Sequence, residues 1–243
     1  MAKFGKWIGG GLGWTFGGPI GAILGFAIGS MFDNAKVIQT QGGSAYGSQT
    51  RAGDFGVSLL ILSAAVMKAD GKVLKSELNY LKQFFTQQFG AADTAEKMRL
   101  FKEILKQQVD IQQVCIQIRD HMTLHSRLQL IHFLFGISKA DGHVDKSEVN
   151  QIELIAKYMG IGASEFLSIK AMFYKDANAA YQILELNENS SDTELKKAYR
   201  KMAVKYHPDK LTHLGPEFQK AAKEKFQKVN EAYETIKKER NIR

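Results

Sequence analysis

The chain has 243 residues, 44% of them hydrophobic, with 33 basic against 25 acidic side chains and a net charge of +8 at neutral pH. A single cysteine excludes an internal disulfide. Three prolines, at 19, 208 and 216, leave Ile20 to His207 free of proline, which points to an all-α protein rather than one of short strands and tight turns. The positive surplus is spread, with Asp and Glu mixed into every segment past the N-terminal one, so no nucleic-acid partner is expected.

From Trp7 to Phe32 no residue is charged, a stretch longer than the roughly 20 residues an α-helix needs to cross a bilayer core. Within it Gly9, Gly13, Gly17, Gly21, Gly25 and Gly29 recur every fourth residue. Glycine costs about 1 kcal/mol against alanine in a helix interior. Lipid offers a compensation, because small residues four apart let two helix backbones approach closely. Residues 1–32 therefore read as a single glycine-zipper membrane anchor, with Gly13, Gly17, Gly21, Gly25 and Gly29 as the face through which two copies pair. Two other readings use the same residues. One is a signal peptide that starts at Lys3 and Lys6 and ends at the small residues Ala27 to Gly29. The other is a bend at Gly17, Gly18 and Pro19 that makes the segment a short hairpin or an interfacial helix. Lys3 and Lys6 before the stretch and Lys36 and Arg51 after it slightly favour an N-terminus on the inside.

Residues 33–54 are polar and rich in Gly, Ser and Gln, and read as a flexible tether. Helical periodicity then resumes and repeats. "KADGKVLKSEL" at Lys68 to Leu78 returns 71 residues later as "KADGHVDKSEV" at Lys139 to Val149, each copy after an apolar helix and before an amphipathic one. Asp-Gly supplies a turn, Ser76 and Ser147 can cap the next helix, and Glu77 and Glu148 fall in its first turn, where negative charge suits the helix dipole. The same spacing supports a second reading. If the two units pack together, Asp70, Glu77, Asp141 and Glu148 converge, and clustered carboxylates invite a divalent cation. The loops lack the alternating oxygen ligands of an EF-hand. Residues 55–175 resemble the TerB-like helical domain, which implies duplicated helices with acidic, metal-binding turns. No other cofactor is expected. His121, His125 and His132 lack an acidic partner at metalloprotease spacing, and Cys115 and the phenylalanines at 84, 85, 89, 101, 133, 135, 166 and 173 fall on core positions.

The C-terminal stretch 176–243 carries the most specific pattern. A short helix around Ala179 to Leu186 precedes "SSDTELKKAYRKMAVKY", with Ser191 or Asp192 as N-cap and Leu195, Ala198, Met202 and Tyr206 on one stripe. Lys196, Lys197, Arg200, Lys201 and Lys205 occupy the opposite half. A third helix from about Pro216 to Glu239 turns Ala222, Phe226, Val229, Tyr233 and Ile236 inward, and the loop between helices carries His207, Pro208 and Asp209. No nucleophile or orienting third group accompanies the histidine and aspartate, so a docking tip is expected rather than an enzyme active site. The blocks "AYQILEL", "KKAYRKMAVKYHPDK" and "KFQKVNEAYE" resemble the J domain, the module that stimulates ATP hydrolysis by DnaK-type chaperones. The resemblance implies chaperone contact through His207, Pro208 and Asp209 and through Lys196, Arg200 and Lys201. Asn230 stands where many members carry lysine. The order of anchor, linker, TerB-like region and J domain resembles the DjlA-like membrane-anchored J-domain proteins. That resemblance implies a co-chaperone in the bacterial inner membrane with residues 33–243 on the cytoplasmic side, where an ATP-driven partner works. The alternative is a metal or envelope-stress sensor acting through the four carboxylates.

Overall fold

The structure is a computed structural model that describes residues 5–34, 50–142, 145–174, 178–207, 209 and 216–242. No strand occurs among the described residues, in keeping with the all-α expectation. The chain divides into two compact units, Met1–His121 and Met122–Arg243, and one copy of the internal repeat falls in each.

The first unit holds α1 (Gly5–Asn34), α2 (Thr50–Met67), α3 (Lys75–Phe89), α4 (Ala91–Leu105) and α5 (Ile111–His121). The uninterrupted helix expected over the uncharged stretch is not what forms. Gly18 takes φ 60° and ψ −153°, a conformation open to glycine, and breaks α1 immediately before Pro19. A bend frees backbone groups, and one side chain takes them: Gln117 on α5 donates Nε2–H to the Gly17 carbonyl at 2.8 Å and accepts the Ile20 N–H on Oε1 at 2.9 Å. No helix among the described residues is long and apolar enough to cross a membrane. The glycine ladder runs through the bend, with Gly13 and Gly17 on one arm of α1 and Gly21, Gly25 and Gly29 on the other. The second arm lies against α4 and α5, where Ser30 donates to Glu103 at 2.9 Å. Of the tether expected over 33–54, residues 35–49 lie outside the described residues, and α2 begins at Thr50.

The second unit holds α6 (Leu124–Ser138), α7 (Lys146–Tyr158), α8 (Ala163–Ala171), α9 (Ala179–Ile183), α10 (Asp192–Lys205) and α11 (Pro216–Glu239). Each unit is built around an apolar helix buried on nearly every side. In the first this is α2, through Leu59, Leu60, Ile61, Leu62, Val66 and Met67; in the second it is α6, through Leu128, Leu130, Ile131, Leu134, Phe135 and Ile137.

The repeat is structural as well as sequential. Both central helices end in the same turn, with Gly71 N–H bonded to the Lys68 carbonyl at 3.1 Å and Gly142 N–H to the Lys139 carbonyl at 2.9 Å. Both glycines sit at φ above 80°, where a side chain would be strained. The turn lysines also match. Lys68 Nζ donates to the Leu105 and Gln107 carbonyls at the end of α4, and Lys139 Nζ to the Phe173 carbonyl beyond α8. Each copy is therefore a three-helix unit in which a lysine closes the C-terminal end of the third helix, where a positive charge meets unpaired carbonyls.

Candidate functional site

The C-terminal part of the second unit forms a helical hairpin. Helix α10 starts at Ser191, whose Oγ accepts the Glu194 N–H at 3.3 Å while Glu194 Oε2 accepts the Ser191 N–H at 2.7 Å. This reciprocal pair fills two of the donors a helix start leaves open. Leu195, Met202 and Tyr206 are buried on one side of α10, and Ala222, Val229, Ala232 and Ile236 answer them from α11. The Tyr199 and Tyr233 rings stack at 4.2 Å between the helices. Asn230 takes a role of its own there, accepting the Tyr199 hydroxyl at 3.0 Å.

The far end of the hairpin carries the tip. His207 is half exposed, with its ring edge-on to Phe226 at 6.2 Å and Nδ1 3.4 Å from the Asp209 carboxylate; Asp209 itself is 83% exposed. Pro208 lies outside the described residues. Along the outward side of α10, Lys196, Lys197 and Arg200 are exposed. Lys201, expected to join them, is exposed but tied to Glu185 at 2.8 Å. That hydrogen bond, with the carboxylate's charge, raises the lysine's pKa above its ordinary value. The hairpin thus presents an imidazole and a carboxylate on a corner, beside a row of cations. Such a surface orients and attracts an acidic protein surface.

The four repeat carboxylates are placed differently from the metal reading. Glu77 is buried and accepts the Leu74 N–H at 2.7 Å, and Glu148 is buried and accepts the Ser138 hydroxyl at 2.5 Å. Asp70 is exposed and accepts the Lys72 N–H at 2.8 Å within its own turn, and Asp141 is exposed. Among the described residues no group of three His, Cys, Asp or Glu side chains is gathered as a metal site needs. Glu77 and Asp70 thus serve their own helix start and turn, and Glu148 ties the start of α7 to the end of α6. The caps also differ from those the sequence pointed to. Leu74 precedes α3 and has no side-chain acceptor, and Asp145 caps α7 by accepting the Ser147 N–H at 2.7 Å. Ser147 is thus a donor in the cap rather than its acceptor.

His132 is part-buried against the Phe173 ring at 4.7 Å, and desolvation, then the Lys225 charge, hold its pKa well below the ordinary value. Burial likewise pushes the Cys115 thiol up to about 12, leaving it a small apolar core residue.

Two residues that organise the hairpin went unread in the sequence. Arg240 ties the end of α11 back to the start of the hairpin, donating to the Glu188 and Ser190 carbonyls and to Asp192, with its guanidinium 5.2 Å from the Tyr181 ring centre. Its partners are distant in sequence, so no local spacing announces it. Lys225 is fully buried. It lies one turn from both Ala222 and Val229 on the inward stripe, so the helical period did mark it, and only its charge argued otherwise.

Comparison with known proteins finds three family matches. Residues 1–48 match the Co-chaperone DjlA transmembrane domain, residues 57–171 the Tellurite resistance protein TerB family, and residues 179–243 the DnaJ domain. Relatives along the whole chain include the Co-chaperone protein DjlA of Coxiella burnetii and that of Yersinia pestis, each 28% identical and covering 100% of both chains. The Co-chaperone protein DjlA of Vibrio cholerae is also 28% identical, over 94% of this chain and 99% of that one. No solved structure matches. With the three segments in this order and relatives named Co-chaperone protein DjlA along its whole length, the chain is similar to the DjlA-like J-domain co-chaperones.

Proposed function

We propose that the protein is a membrane-tethered co-chaperone whose J domain stimulates ATP hydrolysis by a DnaK-type chaperone. The observation that carries this reading is the exposed His207 and Asp209 corner next to Lys196, Lys197 and Arg200, within the residues that match the DnaJ domain. The basic row draws in and orients an acidic chaperone surface, and the tip is then held against it. The transmembrane-domain match over residues 1–48 supports attachment of the N-terminal segment to a membrane. An ATP-driven partner requires residues 33–243 on the cytoplasmic side. Pairing of two copies through the glycine ladder belongs to the same reading.

His207→Gln in the full chain tests it. The substitution removes the imidazole while leaving the basic row in place. Stimulation of the chaperone's ATP turnover is expected to fall by an order of magnitude or more, because interactions made only in the activated state are lost. Turnover equal to that obtained with the unsubstituted protein would overturn the reading.

A further inference from the structure

Two carboxylates meet one lysine immediately behind the tip, and they come from different parts of the chain. Glu165 Oε1 on α8 lies 2.7 Å from Lys205 Nζ, and Glu185 Oε1, in the turn after α9, lies 2.8 Å from it. The three side chains are only 20%, 9% and 11% exposed, in the order Glu165, Glu185, Lys205, so salt screens this cluster less than a surface pair. The second oxygen of Glu185 holds Lys201. Burial works to raise the Glu185 carboxyl, but the hydrogen bonds from Lys201 and Lys205 outweigh it and its pKa lies below the ordinary value. Glu185 also sits at φ 57°, a left-handed conformation that a residue other than glycine keeps only when its surroundings hold it there. The Leu186 N–H bonded back to the Tyr181 carbonyl at 2.9 Å closes that turn, and the two lysines fix the carboxylate it carries.

The cluster is continuous with the tip. Lys205 is the last residue of α10, Tyr206 follows it, buried, with its ring 5.4 Å from Lys225 Nζ, and His207 comes next. One turn along α8 from Glu165, the buried Ser168 hydroxyl donates to the Ile183 carbonyl of α9 at 2.7 Å. The two residues leading into His207 are therefore pinned, one of them by a carboxylate outside the residues 179–243 that match the DnaJ domain.

The geometry points to Glu165 as a positioning residue for J-domain action: through Lys205 it fixes the end of α10 from which His207 projects. The inference rests on the co-chaperone reading above. It gives the TerB-like stretch a part in activation besides spacing the hairpin from the N-terminal segment. Initial attraction is left to Lys196, Lys197 and Arg200, which lie outside the cluster, so loss of Glu165 acts on the activated complex and not on encounter.

The test measures ATP turnover of a DnaK-type chaperone against the concentration of the full-length protein, for the unsubstituted chain, Glu165→Gln, Glu165→Asp and His207→Gln. Glutamine at 165 keeps an oxygen for the Gly162 N–H, which Glu165 accepts at 3.1 Å, so α8 retains its start while the charge is lost. Maximal stimulation by Glu165→Gln is expected to fall roughly fivefold with the half-maximal concentration moving less than about twofold, and Glu165→Asp is expected to recover most of it. Unchanged or increased stimulation, a shift confined to the half-maximal concentration, or equal impairment of the glutamine and aspartate variants would overturn the proposal. His207→Gln separates the two readings. If it leaves turnover intact, the co-chaperone reading fails. If it abolishes stimulation while Glu165→Gln matches the unsubstituted chain, only the role of Glu165 fails.

Discussion

Lys225 is fully buried, and its ammonium nitrogen has no hydrogen-bond partner among the described residues, only the face of the Tyr206 ring at 5.4 Å. Burial, and then the charge of Lys205, hold its pKa well below the ordinary 10.5. Between that lowered value and 10.5 the unfolded chain binds a proton that the folded chain does not, so stability rises with pH across this window and the penalty is present at pH 7. Lys225→Met keeps the length and removes the titration. Its unfolding midpoint at pH 7 is expected to rise by a few degrees, for a gain of about 1 kcal/mol or more. The gap to the unsubstituted chain should narrow as pH is raised towards 10. Thermal unfolding followed by circular dichroism at several pH values checks both, and a gap that is absent at pH 7 or grows with pH would contradict the assignment. His207 and Asp209 were legible at this scale because their loop is written in consecutive residues. Lys205, Glu165 and Glu185 were not, since their meeting depends on how α8, α9 and α10 pack.

At the scale of elements, capping chemistry separates what spacing can decide from what it cannot. Ser191 and Glu194 stand three apart with complementary groups, so the start of α10 follows from sequence alone and the structure agrees. Ser191→Ala should lower the stability of the second unit by about 1 kcal/mol, read from denaturant unfolding, with maximal chaperone stimulation retained where the protein is folded. A loss below about 0.3 kcal/mol would show that the capping box contributes little. At α3 and α7 the same reasoning pointed to Ser76 and Ser147, and it failed for a definable reason. The backbone path of the turn decides which residue precedes each start: Leu74 does so at α3 and offers no side-chain acceptor, while Asp145 precedes α7 in extended conformation and so becomes its cap. The break in α1 belongs here too. Pro19 marks a bend in the sequence, yet what stabilises it is Gln117, almost a hundred residues away.

For the molecule as a whole, the match of residues 1–48 to a transmembrane domain and the bent, docked α1 of the structure meet in one experiment. The full chain is expected to sediment with membranes and to resist alkaline carbonate, while a chain of residues 49–243 is expected in the soluble fraction. Recovery of the full chain in the soluble fraction would leave the N-terminal segment without an anchoring role. The all-helical class, the duplicated turn, the hairpin and its tip were determined by the sequence itself, because helical period, glycine turns and capping act between residues a few positions apart. Only the tertiary structure decided that Lys225 is buried, that Arg240 closes the hairpin, that the repeat glutamates bond within their own units, and that Glu165 reaches Lys205. Each of these depends on which faces pack together: the helical period marks the position of Lys225 but not that its charge is buried, and pairing between segments distant in sequence leaves no periodic trace in the chain.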